Sequence, residues 1–315
     1  LFASGSFDQE AAVSSEDFEK IKRLGAGTSS EVFKCRSISD GKLYALKISK
    51  RQFRSKRDRE NYLTEVQIFK RLGYACEHTL HYHRAWQEQG HFYIQSEYCA
   101  RGNLKNFLDD IAVPLPEDAI WGFVVDICAG LVHIHTHNLV HLDIKPANIF
   151  ITSDGKLKIG DFGMVTEVGS SEDGREGDSV YMAPELLNNL AIKSPAADIF
   201  SFGIMLWEML FSRDPPQDGD MWHNFRADKI PRPGGQEGSS DELFEFVRSC
   251  LQRDPAKRPT ARSILKMPRV VAASQEINQF VLTAPKKKKT LRFPPHLQLG
   301  RSDSHRRDGC RRLPA

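Results

Sequence analysis

Asp143 is followed two residues on by Lys145 and five residues on by Asn148, within Val140–Phe150, and thirteen residues after Asn148 comes Asp161 in Asp161-Phe162-Gly163. Phosphoryl transfer from ATP needs a carboxylate to take or orient the proton of the attacking hydroxyl. It also needs a cation to steady the moving phosphate and oxygen ligands to hold magnesium on the phosphates. Asp143, Lys145, and the pair Asn148 and Asp161 match these roles in that order. Taken alone, the same residues would make a plain polar loop between a helix and a hairpin, so the surrounding elements must decide.

Upstream, a strand beginning near Phe18 runs into Leu24-Gly25-Ala26-Gly27-Thr28-Ser29-Ser30-Glu31-Val32, whose glycines let backbone amides close over phosphates without Cβ interference. A second strand, Tyr44-Ala45-Leu46-Lys47-Ile48, offers a lysine to those phosphates. Leu63, Val66, Phe69 and Leu72 recur at helical spacing, and Glu65 lies beside that stripe, within reach of Lys47. Ile120, Phe123, Val124, Ile127 and Leu131 mark a long helix before the polar loop. Asp198-Ile199-Phe200-Ser201-Phe202-Gly203 opens another after it. His133, His135 and His137 alternate at a helix end, a spacing that suits structural hydrogen bonds better than one zinc face.

These motifs, in this order, resemble the eukaryotic protein kinases from about residue 16 to 270. The resemblance implies an α+β fold of two lobes, a mainly β N-lobe (16–98) and a mainly α C-lobe (99–270), with a leader at 1–15 and a basic, disordered tail at 271–315. It implies ATP and Mg2+ as cofactors. Leu24, Gly25, Ala26, Gly27, Val32 and Ala45 would enclose the nucleotide, with Ser96 as a small gatekeeper and Phe150 as an apolar floor. Glu97 and Cys99 would offer backbone atoms to adenine at the hinge, and Glu65 would hold Lys47 on the phosphates. Asp198 is the aspartate that anchors the catalytic-loop backbone in kinases, and Arg258 the arginine that pairs with Glu185. The kinase pattern wants a third glycine where Ser30 stands.

Departures narrow the resemblance. Leu142 occupies the place of the arginine that binds a phosphorylated activation loop, so activity without that modification is expected. Glu176-Gly177-Asp178 before Tyr181 replaces the Gly-Thr of Ser/Thr kinases, and Asp178 is expected to pair with Lys145. With Asn148-Ile149-Phe150 and Glu97-Tyr98-Cys99, the chain resembles the Wee kinases and their membrane-associated Myt relatives. That implies phosphorylation of a tyrosine in the glycine-rich loop of a cyclin-dependent kinase bound to its cyclin, which delays mitosis; Myt members also modify the adjacent threonine. Lys145 is the Ser/Thr spelling of the loop, so a Ser/Thr kinase related to the translation initiation factor kinases is the enzymatic alternative. A pseudokinase scaffold is the other.

The 315 residues carry a net charge of +3, too little to argue for nucleic acid, and 40% hydrophobic residues, as in an ordinary globular chain. Six scattered cysteines without a C-x-x-C pair point to reduced thiols rather than disulfides or zinc. No apolar run near the roughly 18 residues of a membrane span is read from the sequence. The chain opens on leucine, as an excised fragment would. Lys286–Lys289 reads as a nuclear import signal, with a cytoplasmic location as the alternative, and Lys289-Thr290-Leu291-Arg292-Phe293 has the form of a cyclin-docking motif. A monomer is expected.

Overall fold

The computed structural model describes residues 13–27, 29–52, 56–170, 177–187, 192–232, 240–274 and 279–287, excepting the side chains of 56–61. The strands β1 (Phe18–Ala26), β2 (Ser30–Ser37) and β3 (Leu43–Ser49) lead into α1 (Lys56–Leu72), followed by β4 (Tyr82–Glu88) and β5 (His91–Glu97). They form one antiparallel sheet in the order β1-β2-β3-β5-β4. Strand alternation assigns the faces of β3. Tyr44 and Leu46 are buried in an outer cluster with Phe18, Cys35 and Tyr93, over which Trp86 stacks on both Phe18 and Tyr93. Ala45 and Lys47 therefore face the other way, towards α1 and the second lobe.

The inner face of α1 differs from the expected stripe. Glu65, Ile68 and Leu72 are buried, while Leu63, Val66 and Phe69 are half-buried. Glu65 faces the sheet, as its place beside the stripe predicts, and Ile68 and Leu72 are buried with it. Lys47 supplies the reason: a buried carboxylate is tolerated where a cation meets it.

The second lobe contains α2 (Leu104–Asp110), α3 (Glu117–Thr136), the short strands β6 (Leu139–Val140), β7 (Ile149–Ile151), β8 (Leu157–Ile159) and β9 (Thr166–Glu167), and then α4 (Pro195–Phe211), α5 (Gly219–Phe225), α6 (Asp241–Cys250), α7 (Ala261–Ile264), α8 (Pro268–Ala273) and α9 (Phe280–Thr283). Helix α3 buries Ile120, Phe123, Val124, Ile127 and Leu131, as the spacing predicts. Helix α4 is buried at every position from Ala197 to Phe211, which marks a central core helix. Each fully buried aromatic here, such as Phe123 or Phe200, contributes roughly 1.5–3 kcal/mol. By length and composition α3 could cross a membrane, contrary to the sequence reading, but ten of its residues are buried inside the lobe. Arg258 closes the lobe's far side, its guanidinium forked onto both Glu185 oxygens at 2.6 and 2.7 Å.

Within the tail expected from 271 onward, the described residues 271–274 and 279–287 pack on the lobe. Val270, Ala273 and Val281 are buried, and Phe280 meets Phe107 edge-on. The chain then runs beside the end of α2, where Ala112 N–H donates to Pro285 O at 2.9 Å and Lys287 N–H to Asp110 O at 2.7 Å. Its apolar side chains decide this; the lysines lie at the end of the segment, from Lys286 onward. The Lys289–Phe293 motif lies outside the described residues. A chain ending at Ser274 should melt roughly 5 °C or more below one ending at Lys287, because it loses a buried valine and these hydrogen bonds; calorimetry of the two checks it.

Candidate active site

The site sits where the sheet's inner face meets the loop between β6 and β7. Asp198, with no exposed surface, accepts the N–H groups of His141 and Leu142, both at 2.8 Å, and His135 Nε2 lies 2.8 Å from Oδ2. Leu142 takes a left-handed φ of 64°, which costs on the order of 1 kcal/mol or more in a non-glycine residue. His141 Nδ1 accepts the Asp143 N–H at 3.2 Å, so its Nε2 carries the proton it gives to Gly160 O. The loop is thereby tied to the residue before Asp161.

Every oxygen of the Asp143 carboxylate has a donor. Oδ2 accepts from Asn148 Nδ2 at 2.7 Å, and Oδ1 from Lys145 Nζ at 3.0 Å and from Asp178 N–H at 3.2 Å. Lys145 also reaches Asp178 Oδ2 at 3.4 Å, the pair the sequence anticipates. Burial works against the Lys145 charge, but Asp143 and Asp178 outweigh it and hold the ammonium above its usual value. Gly177 explains itself only in three dimensions. A Cβ there would stand 2.2 Å from Leu142 O, so no other residue lets the segment approach the loop this closely. Glu176 lies outside the described residues. Tyr181 is turned inward, its hydroxyl donating to Glu208 at 2.6 Å, and burial with that carboxylate raises its pKa.

On the opposite wall, Lys47 Nζ bridges Glu65 at 2.9 Å and Asp161 Oδ1 at 3.1 Å. Lys47 holds the Asp161 carboxyl below its usual range. Asp161 itself has a left-handed φ of 60°. A stack of rings carries this arrangement between lobes: Phe69 lies flat on Tyr82 at 3.5 Å, Tyr82 meets Phe162 at 5.6 Å, and Phe162 meets His141 at 5.6 Å. Phe162 is buried beneath Asp161 rather than swung into the cleft.

Most of the residues expected to enclose a nucleotide fall on β1, β2, β3, β5 and β7, with Gly27 and Cys99 just beyond strand ends. Leu24 is 43% exposed on β1, with Gly25 and Ala26 beyond it, and Val32 faces Lys47 across the β2–β3 register. Gly27 N–H is engaged with Ser30 O at 2.9 Å, and Thr28 lies outside the described residues. Ser96 pairs with Ala45 across β3 and β5, and its hydroxyl donates to Ala45 O at 3.4 Å. The Glu97 carboxylate accepts from Lys158 Nζ and His81 N–H, both at 2.7 Å, and so braces the hinge. Cys99 O accepts from Gly102 N–H, leaving one lone pair, and burial pushes its thiol up to about 12. Phe150 projects from β7 opposite the buried Ile149 and Ile151, its ring against Gly160, where a Cβ would come within 2.8 Å.

This donor set suits a hard divalent cation. Asn148 spends its amide nitrogen on Asp143, which leaves its oxygen for a metal, and Asp161 keeps a carboxylate oxygen beyond the one on Lys47. Magnesium takes few protein oxygens and fills its sphere with phosphate and water. Among the described residues no other cluster of His, Cys, Asp or Glu could hold a metal. His133 and His137 are committed elsewhere, to Leu72 O and His133 O at 2.9 and 2.8 Å.

Two lobes, a lysine–glutamate pair and a carboxylate held by an asparagine define a protein kinase. The family description "Protein kinase domain" matches residues 18–270. A probable protein kinase of Dictyostelium discoideum is 42% identical over 259 residues, covering 80% of this chain and 72% of that protein. A membrane-associated tyrosine- and threonine-specific cdc2-inhibitory kinase of Drosophila melanogaster is 40% identical over 256 residues, covering 80% of this chain and 47% of the relative. Wee1-like protein kinase 1-B of Xenopus laevis is 33% identical over 282 residues, 82% of this chain and 47% of the relative. The chain thus spans about half the length of the last two. It belongs to the protein kinase family, whose members in general use ATP and a divalent metal, and it is similar to the Wee-type relatives named above.

Gly177→Ala should lower kcat/KM for a protein acceptor about a hundredfold, because the methyl forces the segment off Leu142 O, while nucleotide binding stays within about twofold. Steady-state kinetics beside an ATP-analogue titration check it.

Proposed function

We propose that the chain phosphorylates an inhibitory tyrosine in the glycine-rich loop of a cyclin-dependent kinase bound to its cyclin, and so delays mitosis. The observation that carries this reading is Asp178. Its N–H lies on Asp143 and its carboxylate on Lys145, where Ser/Thr kinases place a threonine hydroxyl. The names of the Drosophila and Xenopus relatives support the same reading, and the former supports action on the adjacent threonine as well.

Lys47 would pair with the ATP phosphates, held there by Glu65. Asn148 and Asp161 would hold magnesium, which when bound neutralises phosphate charge. Asp143 orients the phenol of the acceptor and takes its proton as the oxygen attacks the γ-phosphate. Lys145, already between two carboxylates, steadies the phosphoryl group in flight. Most of the acceleration comes from positioning and fixed charge. A phenol is more acidic than an alkyl hydroxyl, so the base has less to do here than in a serine kinase. A nuclear location belongs to the same proposal and rests on the lysine run 286–289, of which Lys287 Nζ is engaged with Asp109 O at 3.0 Å. So do a monomeric state and cyclin docking through Lys289–Phe293.

The test is incubation with magnesium, ATP and an inactive cyclin-bound kinase, followed by mapping of the modified residue. Phosphotyrosine in the glycine-rich loop is expected. Label confined to serine elsewhere would return the Ser/Thr alternative, and no ATP turnover would leave only a scaffold. Asp178→Ala should reduce tyrosine labelling about tenfold, the worth of a charge-assisted contact. Unchanged rate and residue preference in that variant would remove Asp178 from the account.

A further inference from the structure

Arg226 follows α5 and is only 6% exposed. Among the described residues no carboxylate pairs with it. Its guanidinium is spent on main-chain carbonyls: Nε donates to Met182 O at 3.1 Å, Nη2 to Ser179 O at 2.9 Å and Val180 O at 3.1 Å, and Nη1 to Trp222 O at 3.0 Å. Its plane lies 3.6 Å over the Trp222 ring, with Phe200 at 5.8 Å. Trp222 Nε1 adds a second donor to Ser179 O at 3.1 Å. Burial pushes the guanidinium down to about 10, which still leaves it charged at neutral pH.

A buried cation without an anion is costly, and a lone salt bridge partner would serve a merely structural need more cheaply. What Arg226 gains instead is control of one stretch of backbone. Residues 179–182 begin directly after Asp178, whose N–H touches the carboxylate of Asp143. An acceptor chain that brings a hydroxyl to Asp143 must pass along this stretch. Asp178 holds its near end from the catalytic loop, and Arg226 with Trp222 holds the rest from α5. Leu142 cannot contribute, being an apolar side chain where kinases that depend on loop phosphorylation carry an arginine.

We propose that Arg226 is a positioning residue for the protein acceptor: its fork, covered by Trp222, sets the path of residues 179–182 and so preforms the surface against which the acceptor segment lies. This rests on the proposed function only in taking the acceptor to be a polypeptide. A fixed loop spares the ordering cost that binding would otherwise carry, so its loss should appear in acceptor KM. Nucleotide affinity, set by the opposite wall, should not follow.

The experiment compares the parent chain with Arg226→Lys, which keeps the charge but cannot fork, and with Trp222→Phe, which keeps the ring but loses the indole donor. Acceptors are an inactive cyclin-bound cyclin-dependent kinase, a glutamate–tyrosine copolymer and a serine peptide pool. For whichever acceptor the parent labels, Arg226→Lys should raise KM about tenfold and Trp222→Phe about threefold, with kcat moving less than KM and ATP-analogue affinity within about twofold. Unchanged acceptor KM in Arg226→Lys overturns the proposal. So does a loss of kcat, nucleotide affinity and melting temperature together. If Arg226→Lys does not fold, Trp222→Phe decides by the same criterion. A parent that labels only the serine pool sinks the tyrosine reading yet leaves the Arg226 effect measurable there. A parent that turns over ATP but labels none of the three overturns both.

Discussion

A carboxylate sealed in the C-lobe core, Asp198, holds the catalytic loop by two backbone N–H groups. Without it, two buried amides would lose their acceptor, at about 1–3 kcal/mol each, and Leu142 would have little reason to keep a left-handed backbone. That backbone sets where the Leu142 carbonyl points, and the carbonyl is what Gly177 lies against. Gly177 in turn lets Asp178 reach both Asp143 and Lys145. One buried charge, at the fourth residue of the core helix α4, thus governs the shape of the acceptor side.

The nucleotide side depends on a different device, one that spans the lobes. Lys47 can serve phosphates only while Glu65 faces it, and Glu65 faces it only while α1 is packed inward. The rings of Phe69, Tyr82, Phe162 and His141 form a continuous column from α1 to the catalytic loop. Displacing Phe162 would open that column and carry Asp161 away from Lys47 in the same movement. Packing and metal binding are therefore coupled through a single tripeptide.

Among the described residues, the activation segment is held by a carboxylate at Asp178, a glycine at 177, a guanidinium at Arg226 and the Tyr181–Glu208 hydrogen bond. The guanidinium that meets this segment's carbonyls, Arg226, stands just after α5.

Much of this was legible in the chain before folding. Asp143, Lys145, Asn148 and Asp161 declare themselves because phosphoryl transfer restricts residue type and the loop holding them is short. The Lys47–Glu65, Lys145–Asp178 and Arg258–Glu185 partnerships follow from motif order. Three things needed tertiary structure. The burial of Ile68 on the inner face of α1, beside the expected Glu65 and in place of Leu63, Val66 and Phe69, has no marker in the helical spacing. The packing of residues 271–274 and 279–287 escapes composition because Ala273 and Val281 find buried places that only the folded lobe offers. Arg226 carries no signal in the sequence, since three of its four carbonyl partners lie 44 to 47 residues away and carbonyls are identical in every residue. Chemistry that depends on side-chain identity can be read along a sequence; contacts made by the main chain, or by burial against distant elements, exist only once the chain has closed on itself.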